Sequence, residues 1–253
     1  MKNKKYSYIS LLSTDDYLPG VLALSKSLEL TGAKFPLCVC VIEEISSKVK
    51  RILKENNIRI ITIEKLSQDN IATRRIWHNT WSKLNVFRLL EFDKIVFLDA
   101  DTLVCDNLDD LFAKPHMSAV NAGGEVFDDW VNLNSGVMVV EPCLSLFDEL
   151  IEILESSKTI RGDQCVLIER FPDWAKCSDL LLGHEYNTFV GHLELSKFNL
   201  VSGVSEITKD EKPGSVKVIH YSNIKPWGHP KDSEKSPAYK LWDSVYELAL
   251  TDD

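Results

Sequence analysis

The sequence predicts an α/β fold in which a Rossmann-like, mostly parallel central sheet is flanked by helices. The first half of the chain alternates short apolar runs, typical of buried strands, with amphipathic segments typical of helices. The chain has 253 residues, a length that suits one large domain with a sizeable core. Its hydrophobic fraction of 44% and charged fraction of 26% are ordinary for a globular protein.

The chain opens with a strand–helix unit. The apolar run YSYISLL at 6–12 predicts the first strand. Thr14 or Asp15 can cap the next helix, because their side chains accept from the free N–H groups at a helix start. Pro19 suits the first turn of this helix, which we expect to end near Leu30.

The following elements repeat this alternation. Strands are predicted at 36–42 (PLCVCVI) and 58–63 (IRIITI), with an amphipathic helix at 45–57 between them. Another helix is predicted at 79–92, before a strand at 94–98 (KIVFL). Repeated strand–helix alternation favours parallel strands with helices on both faces of the sheet.

The second half of the chain is less regular, and a mixed stretch at 183–215 indicates loops. It contains no clear linker or internal repeat, so one domain is the simpler interpretation. The predicted elements are a strand at 136–142, helices at 143–157 and 162–171, a strand at 216–220 and a terminal helix at 237–250.

Composition narrows the partners and the compartment. The formal net charge of −9 disfavours binding to nucleic acid or to an anionic membrane. The six cysteines form no CxxC pair, which is typical of free thiols in a reducing compartment and predicts a cytoplasmic location. We expect no signal peptide, because residues 1–12 lack an adequate apolar region and a cleavage site. We expect no transmembrane helix, because no apolar run approaches about 18 residues.

Two aspartates, Asp99 and Asp101, directly follow the strand KIVFL. Residues two apart in an extended chain share a face, so both carboxylates can reach one divalent cation. The pair lies at the carboxyl end of a strand, where open parallel sheets bind ligands. The alternative is that it caps the turn into the acidic segment that follows. Phosphatases of the haloacid dehalogenase type and nucleotide-sugar glycosyltransferases both use such a pair.

Five segments carry a family resemblance and occur in the family's order: 10–28 (SLLSTDDYLPGVLALSKSL), 80–112 (TWSKLNVFRLLEFDKIVFLDADTLVCDNLDDLF), 133–142 (LNSGVMVVEP), 162–171 (GDQCVLIERF) and 220–227 (HYSNIKPW). Over nearly its whole length the chain is similar to glycosyltransferase family 8, the glycogenin-type retaining transferases, which include galactinol synthases and plant xylan glucuronosyltransferases. The resemblance implies a GT-A fold and a UDP-sugar donor.

The resemblance also implies one GT-A domain over residues 1–253. Residues 1–112 would form its nucleotide-binding half, 113–230 its sugar and acceptor half, and 231–253 a C-terminal helical tail. An apolar stripe on the terminal helix is expected to pack on its own domain, with a homodimer contact or an interfacial membrane anchor as the alternative.

The metal and catalytic roles carry over residue by residue. Asp99, Asp101 and His220 match the family's metal ligands, and the ion implied is Mn²⁺, with Mg²⁺ as the alternative. The remaining catalytic positions are Asp163 and Gln164, nearest the anomeric carbon, and Lys225, which would contact the diphosphate and stabilise departing UDP. The positions that match donor-binding residues are Leu11, Ser13, Tyr17, Arg74 (with Arg75 as an equal candidate), Lys83, Ala100, Asn134, Ser135, Gly136 and Gly162. Among them, Asn134, Ser135 and Gly136 match the family's sugar-binding segment, which contacts the sugar hydroxyls.

Departures from the glycogenin pattern leave the donor sugar open. Ile160 stands where glycogenins have an aspartate, and Asn223 replaces the usual glycine. The spacing of HYSNIKPW is that of the plant glucuronosyltransferases. Eight residues after Tyr186, where the self-glycosylated tyrosine of glycogenins would fall, the chain has Glu194, so we predict transfer to a separate glycan, lipid-linked sugar or polyol.

Three functions compete at this point. The leading one is a Mn²⁺-dependent retaining transferase that moves a hexose from UDP to a separate acceptor. The second is a non-catalytic scaffold that binds a nucleotide sugar. This function is disfavoured because all three metal ligands and both lysines are present. The third is a phosphatase. It is disfavoured because the aspartate pair follows about the fourth strand and because the glycine of the phosphatase motif is absent.

Overall fold

The computed structural model describes residues 4–66, 80–124, 129–157, 162–193, 216–228 and 237–251. Within these ranges the strands are β1 (Tyr6–Leu12), β2 (Leu37–Val41), β3 (Arg59–Thr62), β4 (Lys94–Leu98), β5 (Thr102–Val104), β6 (Ala119–Asn121), β7 (Leu133–Val140), β8 (Thr188–Phe189) and β9 (Val218–His220). The α-helices are α1 (Leu18–Leu30), α2 (Ser47–Glu55), α3 (Leu144–Ser156), α4 (Asp163–Arg170), α5 (Val190–Leu193) and α6 (Pro237–Thr251). None of these helices has the length and apolar character that crossing a bilayer requires.

Six strands form the central sheet in the order β3-β2-β1-β4-β7-β6. The first four are parallel, as the strand–helix alternation predicts. β7 runs antiparallel to β4, and β6 runs antiparallel to β7. A second, smaller sheet joins β5, β9 and β8. The predicted α/β class is confirmed, and β4 is the strand at which pairing changes from parallel to antiparallel.

Both faces of the central sheet are buried. Along β1, Tyr8 and Ile9 belong to different hydrophobic clusters, and Val96 and Phe97 of β4 do the same. Adjacent side chains of a strand point to opposite faces, so a strand covered on both sides needs apolar residues at nearly every position. This requirement explains the unbroken apolar run of β4.

The terminal helix α6 packs on α1. Trp242 and Val245 of α6 are buried in a cluster that includes Ala23 of α1 and Ile219 of β9. Leu248, further along the helix, is 39% exposed. The inner part of the predicted apolar stripe therefore packs on its own chain, while a homodimer stays a prediction.

The segment predicted as a helix at 79–92 differs from the prediction, because it contains a 3₁₀ helix, Thr80–Arg88. Every residue from Trp81 to Phe87 is buried. The segment therefore lacks the solvent-facing side that an amphipathic α-helix presents. The segment is buried, and its residue Lys83 lies in the interior of the protein.

Candidate active site

The candidate site lies at the edge of the central sheet where β4 ends. Because β7 is antiparallel to β4, the beginning of β7 lies at the same edge. Leu98 pairs with Val137, and the Asp99 N–H donates to the Gly136 carbonyl at 2.8 Å. The acidic pair and the predicted sugar-binding segment are therefore neighbours, although they are far apart in sequence.

The strand β9 brings His220 to the two aspartates. His220 pairs with Thr102 of β5, and the Tyr221 N–H donates to the Asp101 carbonyl at 2.9 Å. His220 Nε2 is 3.3 Å from Asp101 Oδ1 and 4.0 Å from Asp99 Oδ2. One ligand atom from each of the three side chains lies within 4.8 Å of the other two.

These three side chains fit one divalent cation. Hard divalent ions bind their oxygen ligands at about 2.0–2.6 Å, so two ligands of one ion lie at most about 5 Å apart. Carboxylate oxygens are the donors that Mg²⁺ and Mn²⁺ prefer, and the imidazole nitrogen supplies a third position. The structure therefore brings together the predicted triad of Asp99, Asp101 and His220.

Lys83 is buried among acidic groups. Its Nζ lies 2.9 Å from Asp99 Oδ1, 3.1 Å from Asp163 Oδ2 and 3.2 Å from both the carbonyl and the hydroxyl oxygen of Ser135. Burial alone would lower the pKa of Lys83, but the two carboxylates outweigh burial and raise it. Lys83 thus ties β4, β7 and α4 together at the site.

The ammonium group of Lys225 is held by three protein oxygens. It forms a short ion pair with Asp101 and donates to the carbonyls of Tyr221 at 2.9 Å and Ser222 at 2.8 Å. A lysine has three N–H donors, so these contacts use all of them. Burial would raise the pKa of Asp101, but His220 and Lys225 outweigh burial and lower it.

Asp99 differs from Asp101 in the direction in which its pKa is shifted. Burial raises the pKa of Asp99, and the charge of Lys83 only partly offsets this effect. In their ionised forms Asp99, Asp101 and Asp163 oppose the two lysines, Lys83 and Lys225. Counted without His220, these five groups carry one net negative charge. A divalent cation would turn it into a net positive charge, which suits a diphosphate.

The beginning of α4 presents Asp163 and Gln164 to the start of β7. Gly162 precedes the helix in an extended conformation, with φ at −163°. The Asp163 N–H donates to Thr80 Oγ1 at 3.3 Å, and Gln164 Oε1 accepts from the Ser135 N–H at 3.4 Å. The two predicted catalytic residues are therefore fixed beside the predicted sugar-binding segment.

Asn187 belongs to the site, although the sequence analysis assigned it no role. Its Oδ1 lies 2.9 Å from His220 Nδ1, and its Nδ2 donates to Asn134 Oδ1 at 2.7 Å. Asn134 Oδ1 also accepts from the Gly136 N–H at 2.9 Å. The Tyr186-Asn187 pair marks the position in the sequence but does not reveal the contact with the histidine.

Gly136 leaves room for the histidine ring. A Cβ atom at this position would lie 2.5 Å from His220 Cε1 and 2.9 Å from Asn134 Oδ1. The family resemblance predicts that this glycine lies close to the sugar. The structure shows that the group in close approach is the imidazole of His220.

Tyr17 and Trp227 form an aromatic pair beside the aspartates. Their ring centroids are 5.2 Å apart, and Lys225 Nζ lies 5.9 Å from the Tyr17 centroid. Burial, together with the charges of Asp101 and Asp99, raises the pKa of Tyr17 to about 12. The aromatic ring of Tyr17 and the ammonium group of Lys225 therefore lie close together beside the two aspartates.

Helix α1 approaches the loop between the two aspartates closely. A Cβ atom on Gly20 would lie 2.2 Å from the carbonyl oxygen of Ala100. Leu11 and Ser13 lie at the carboxyl end of β1, the parallel neighbour of β4. The predicted donor residue Arg74 lies outside the described residues.

Comparison with known proteins identifies relatives in plants and animals. Inositol phosphorylceramide glucuronosyltransferase 1 of Arabidopsis thaliana is 34% identical over 175 residues, which are 68% of this chain and 31% of the relative. UDP-glucuronate:xylan alpha-glucuronosyltransferase 1 of the same plant is 30% identical over 228 residues, 88% of this chain and 32% of the relative. Human glycogenin-1 is 28% identical over 246 residues, 92% of this chain and 66% of the relative. The chain spans about a third of the length of these two plant relatives.

Solved structures establish the fold. The galactosyltransferase LgtC, in complex with donor and acceptor sugar analogs, has a TM-score of 0.64 at 18% identity, with 95% of each chain covered. GlyE of Streptococcus pneumoniae TIGR4 has a TM-score of 0.63 at 18% identity, with 98% of this chain and 62% of GlyE covered. The GT-A fold implied by the sequence is confirmed. The family model of Glycosyl transferase family 8 matches residues 8–230, and the chain belongs to this family.

Proposed function

We propose that the chain is a Mn²⁺-dependent retaining hexosyltransferase that moves glucose, galactose or glucuronate from a UDP-sugar to a separate acceptor. The observation that carries the proposal is the convergence of Asp99, Asp101 and His220 beside Lys225 at one edge of the sheet. Family membership supports the transfer reaction. The names of the two plant relatives favour glucuronate among the donors.

The cation-binding end of the site is formed by Asp99, Asp101 and Nε2 of His220. A bound Mn²⁺, or alternatively Mg²⁺, supplies positive charge that neutralises a diphosphate. Lys225 lies beside Asp101, where its ammonium can exchange a carboxylate oxygen for a diphosphate oxygen. In that position it stabilises the charge that develops on departing UDP.

The sugar end is formed by Asp163 and Gln164. The Asp163 carboxylate is tied to Lys83, which suits it to orient the sugar and to stabilise positive charge on an oxocarbenium-like transition state. The Asp99 and Asp101 carboxylates are likewise paired with lysines. We therefore favour a front-face route. The bond from C1 to UDP breaks, the acceptor oxygen bonds to C1 on the same face, and the acceptor proton passes to UDP.

The remaining donor assignments are part of the same proposal. The acceptor would be a glycan, a lipid-linked sugar or a polyol. The division into halves at residues 112 and 230, the homodimer and the cytoplasmic location stay predictions from the sequence. The proposed donor contacts are Leu11, Ser13, Tyr17, Arg74, Lys83, Ala100, Asn134, Ser135, Gly136 and Gly162.

The test is UDP release from UDP-glucose, UDP-galactose and UDP-glucuronate with Mn²⁺, repeated with EDTA. At least one donor should give UDP, and EDTA should abolish its release. Asp99→Asn and Asp101→Asn should each lose more than about 100-fold of turnover while staying folded, because each removes a charged ligand. Asp148→Asn, an exposed position on α3, is the matched control and should keep full activity.

Other outcomes of this assay overturn the proposal. Binding of UDP-sugars without turnover on any donor and acceptor would indicate a scaffold. Release of inorganic phosphate from phosphate esters, without UDP, would indicate a phosphatase. Full turnover by Asp101→Asn would remove the proposed cation site.

A further inference from the structure

We propose that Asn187 is a positioning residue that acts through His220. It keeps a hydrogen on Nδ1 of the imidazole, so that Nε2, which faces Asp99 and Asp101, is the nitrogen that a cation can take. The inference rests on the proposed function only where it assigns Nε2 to a cation. The orientation of the ring hydrogens follows from the hydrogen bonds of the described residues.

The first step is the amide of Asn134. The Gly136 backbone N–H lies 2.9 Å from the outer amide atom of Asn134. A backbone N–H can only donate, so the atom that faces it must be the amide oxygen. The other end of the same amide then carries the NH₂ group. That group lies 3.3 Å from Gln164 Oε1, which also accepts from the Ser135 N–H.

The second step is the amide of Asn187. One of its outer atoms lies 2.7 Å from Asn134 Oδ1, which is now fixed as an acceptor. Asn187 must therefore present its NH₂ group to Asn134. Its remaining atom, the oxygen, lies 2.9 Å from His220 Nδ1. An amide oxygen only accepts, so Nδ1 must carry the hydrogen.

The surroundings hold the ring and the amide in this arrangement. Asn187 is 4% exposed and His220 is 5% exposed, so a ring without hydrogen on Nδ1 would leave this nitrogen and the Asn187 oxygen as two buried acceptors facing each other, with little access to water. Gly136 lies directly against the ring at Cε1 and Nδ1. Phe189 contacts the same ring, with centroids 5.1 Å apart. Packing and hydrogen bonding therefore select one orientation.

Nε2 of His220 is the nitrogen that faces the aspartates. An imidazole binds a metal through an unprotonated nitrogen, and a partner on the other nitrogen typically changes metal affinity by about 10- to 100-fold. With Asn187 on Nδ1, the nitrogen left to bind a cation is Nε2, which lies 3.3 Å from Asp101 Oδ1. The ring is thus oriented for a cation before one arrives.

The experiment reads the tautomer in the metal-free protein. Histidine ¹⁵N NMR, recorded well above the usual histidine pKa of about 6.5, distinguishes protonated from bare ring nitrogens. The His220→Gln variant identifies the signals that belong to His220. Wild-type protein should show hydrogen on Nδ1. Asn187→Asp, which keeps an acceptor, should show the same tautomer, whereas Asn187→Leu should show hydrogen on Nε2.

A second readout is Mn²⁺ affinity without any nucleotide sugar, followed by the EPR signal of free Mn²⁺. Asn187→Leu should bind about 10- to 100-fold more weakly than wild type, and Asn187→Asp should recover most of this loss. Asn107→Leu is the matched control. Its amide donates to the carbonyls of Thr31 and Gly32, so it should keep both the tautomer and the affinity.

The outcomes separate this inference from the proposed function. A wild-type ring without hydrogen on Nδ1 overturns it, even if no variant folds. So does an Asn187→Leu variant with hydrogen on Nδ1 and wild-type Mn²⁺ affinity. If the wild-type protein binds no Mn²⁺, the proposed function fails, while the NMR result still decides the role of Asn187.

Discussion

At the scale of single residues, the space that Gly136 leaves beside His220 can be tested directly. Gly136→Ala would place a methyl group 2.5 Å from His220 Cε1, so the ring or the start of β7 must move. Overpacking of this kind costs about 1–3 kcal/mol. We expect Mn²⁺ affinity, followed by EPR, to fall by at least about tenfold because the ligand is displaced.

The control for this substitution is Gly191→Ala in α5. A Cβ atom at Gly191 meets nothing within 4 Å, so Mn²⁺ binding should be unchanged. Wild-type affinity in Gly136→Ala would show that the ring has room to shift without cost.

The charged residues of the site can be predicted from the sequence, but the polar contacts between them cannot. Asp99 and Asp101 stand two apart at the end of an apolar strand, which is a local pattern. Asn187 lies 33 residues before His220. Its position depends on the pairing of β8 with β9, and β8 has two residues, too few to produce a periodic pattern.

At the scale of elements, the terminal helix α6 should contribute strongly to stability. Trp242 is 2% exposed, stacks on Tyr246 at 4.9 Å and lies 5.9 Å from Trp227, centroid to centroid. Trp242→Ala should lower the free energy of unfolding by about 3–5 kcal/mol, because it leaves a cavity between α6 and α1. Urea unfolding followed by circular dichroism measures this loss.

Leu248→Ala on the same helix is the control. Leu248 is 39% exposed, and its substitution should change the free energy of unfolding by no more than about 0.5 kcal/mol. If Leu248→Ala instead dissociates a dimer in size-exclusion chromatography while Trp242→Ala unfolds normally, the helix serves an interface between copies.

The elements that the sequence predicts best are those with a local cause. Ser46 begins α2 by accepting from the Val49 N–H, and the apolar run of β4 is buried on both faces. The sequence predicts a helix at 79–92 because its residues favour one, but it does not predict the 3₁₀ form of Thr80–Arg88. Burial of this segment on all sides is decided by distant parts of the chain.

At the scale of the whole molecule, the chain is expected to glycosylate a separate acceptor and not itself. Glu194, at the position of the glycogenin acceptor, has no hydroxyl and lies outside the described residues. All seven tyrosines lie within the described ranges. Four of their hydroxyls already donate to protein oxygens: Tyr8 to Asp109, Tyr186 to Asp110, Tyr221 to the Ala238 carbonyl and Tyr239 to the Ile224 carbonyl.

Intact-protein mass spectrometry tests this expectation. After incubation with Mn²⁺ and UDP-glucose, UDP-galactose or UDP-glucuronate, the mass of the chain should not change, whereas an added acceptor should gain sugar. A ladder of hexose masses that maps to any tyrosine of the chain would contradict the prediction.

The topology of the whole molecule is only partly readable from the sequence. Strand–helix alternation predicts the four parallel strands because each unit is local. The antiparallel strands β6 and β7 and the small sheet of β5, β8 and β9 depend on pairing between distant segments. The site lies where the local strand–helix units meet the strands that pair over long distances in sequence. Its location could therefore be found only from the structure.

Under the proposed function, the ion pair between Lys225 and Asp101 predicts that cation and nucleotide bind with positive cooperativity. A cation that takes Asp101 frees the ammonium for a diphosphate, and a diphosphate that takes Lys225 frees the carboxylate. By thermodynamic linkage, each ligand must raise the affinity for the other by the same factor. In Lys225→Met, Mn²⁺ should bind the nucleotide-free protein more tightly, and UDP should strengthen that binding less than in wild type. Calorimetric titration of Mn²⁺ with and without UDP measures, for each protein, the factor by which UDP raises the Mn²⁺ affinity. Equal factors in the two proteins would show that the ion pair does not contribute to the coupling.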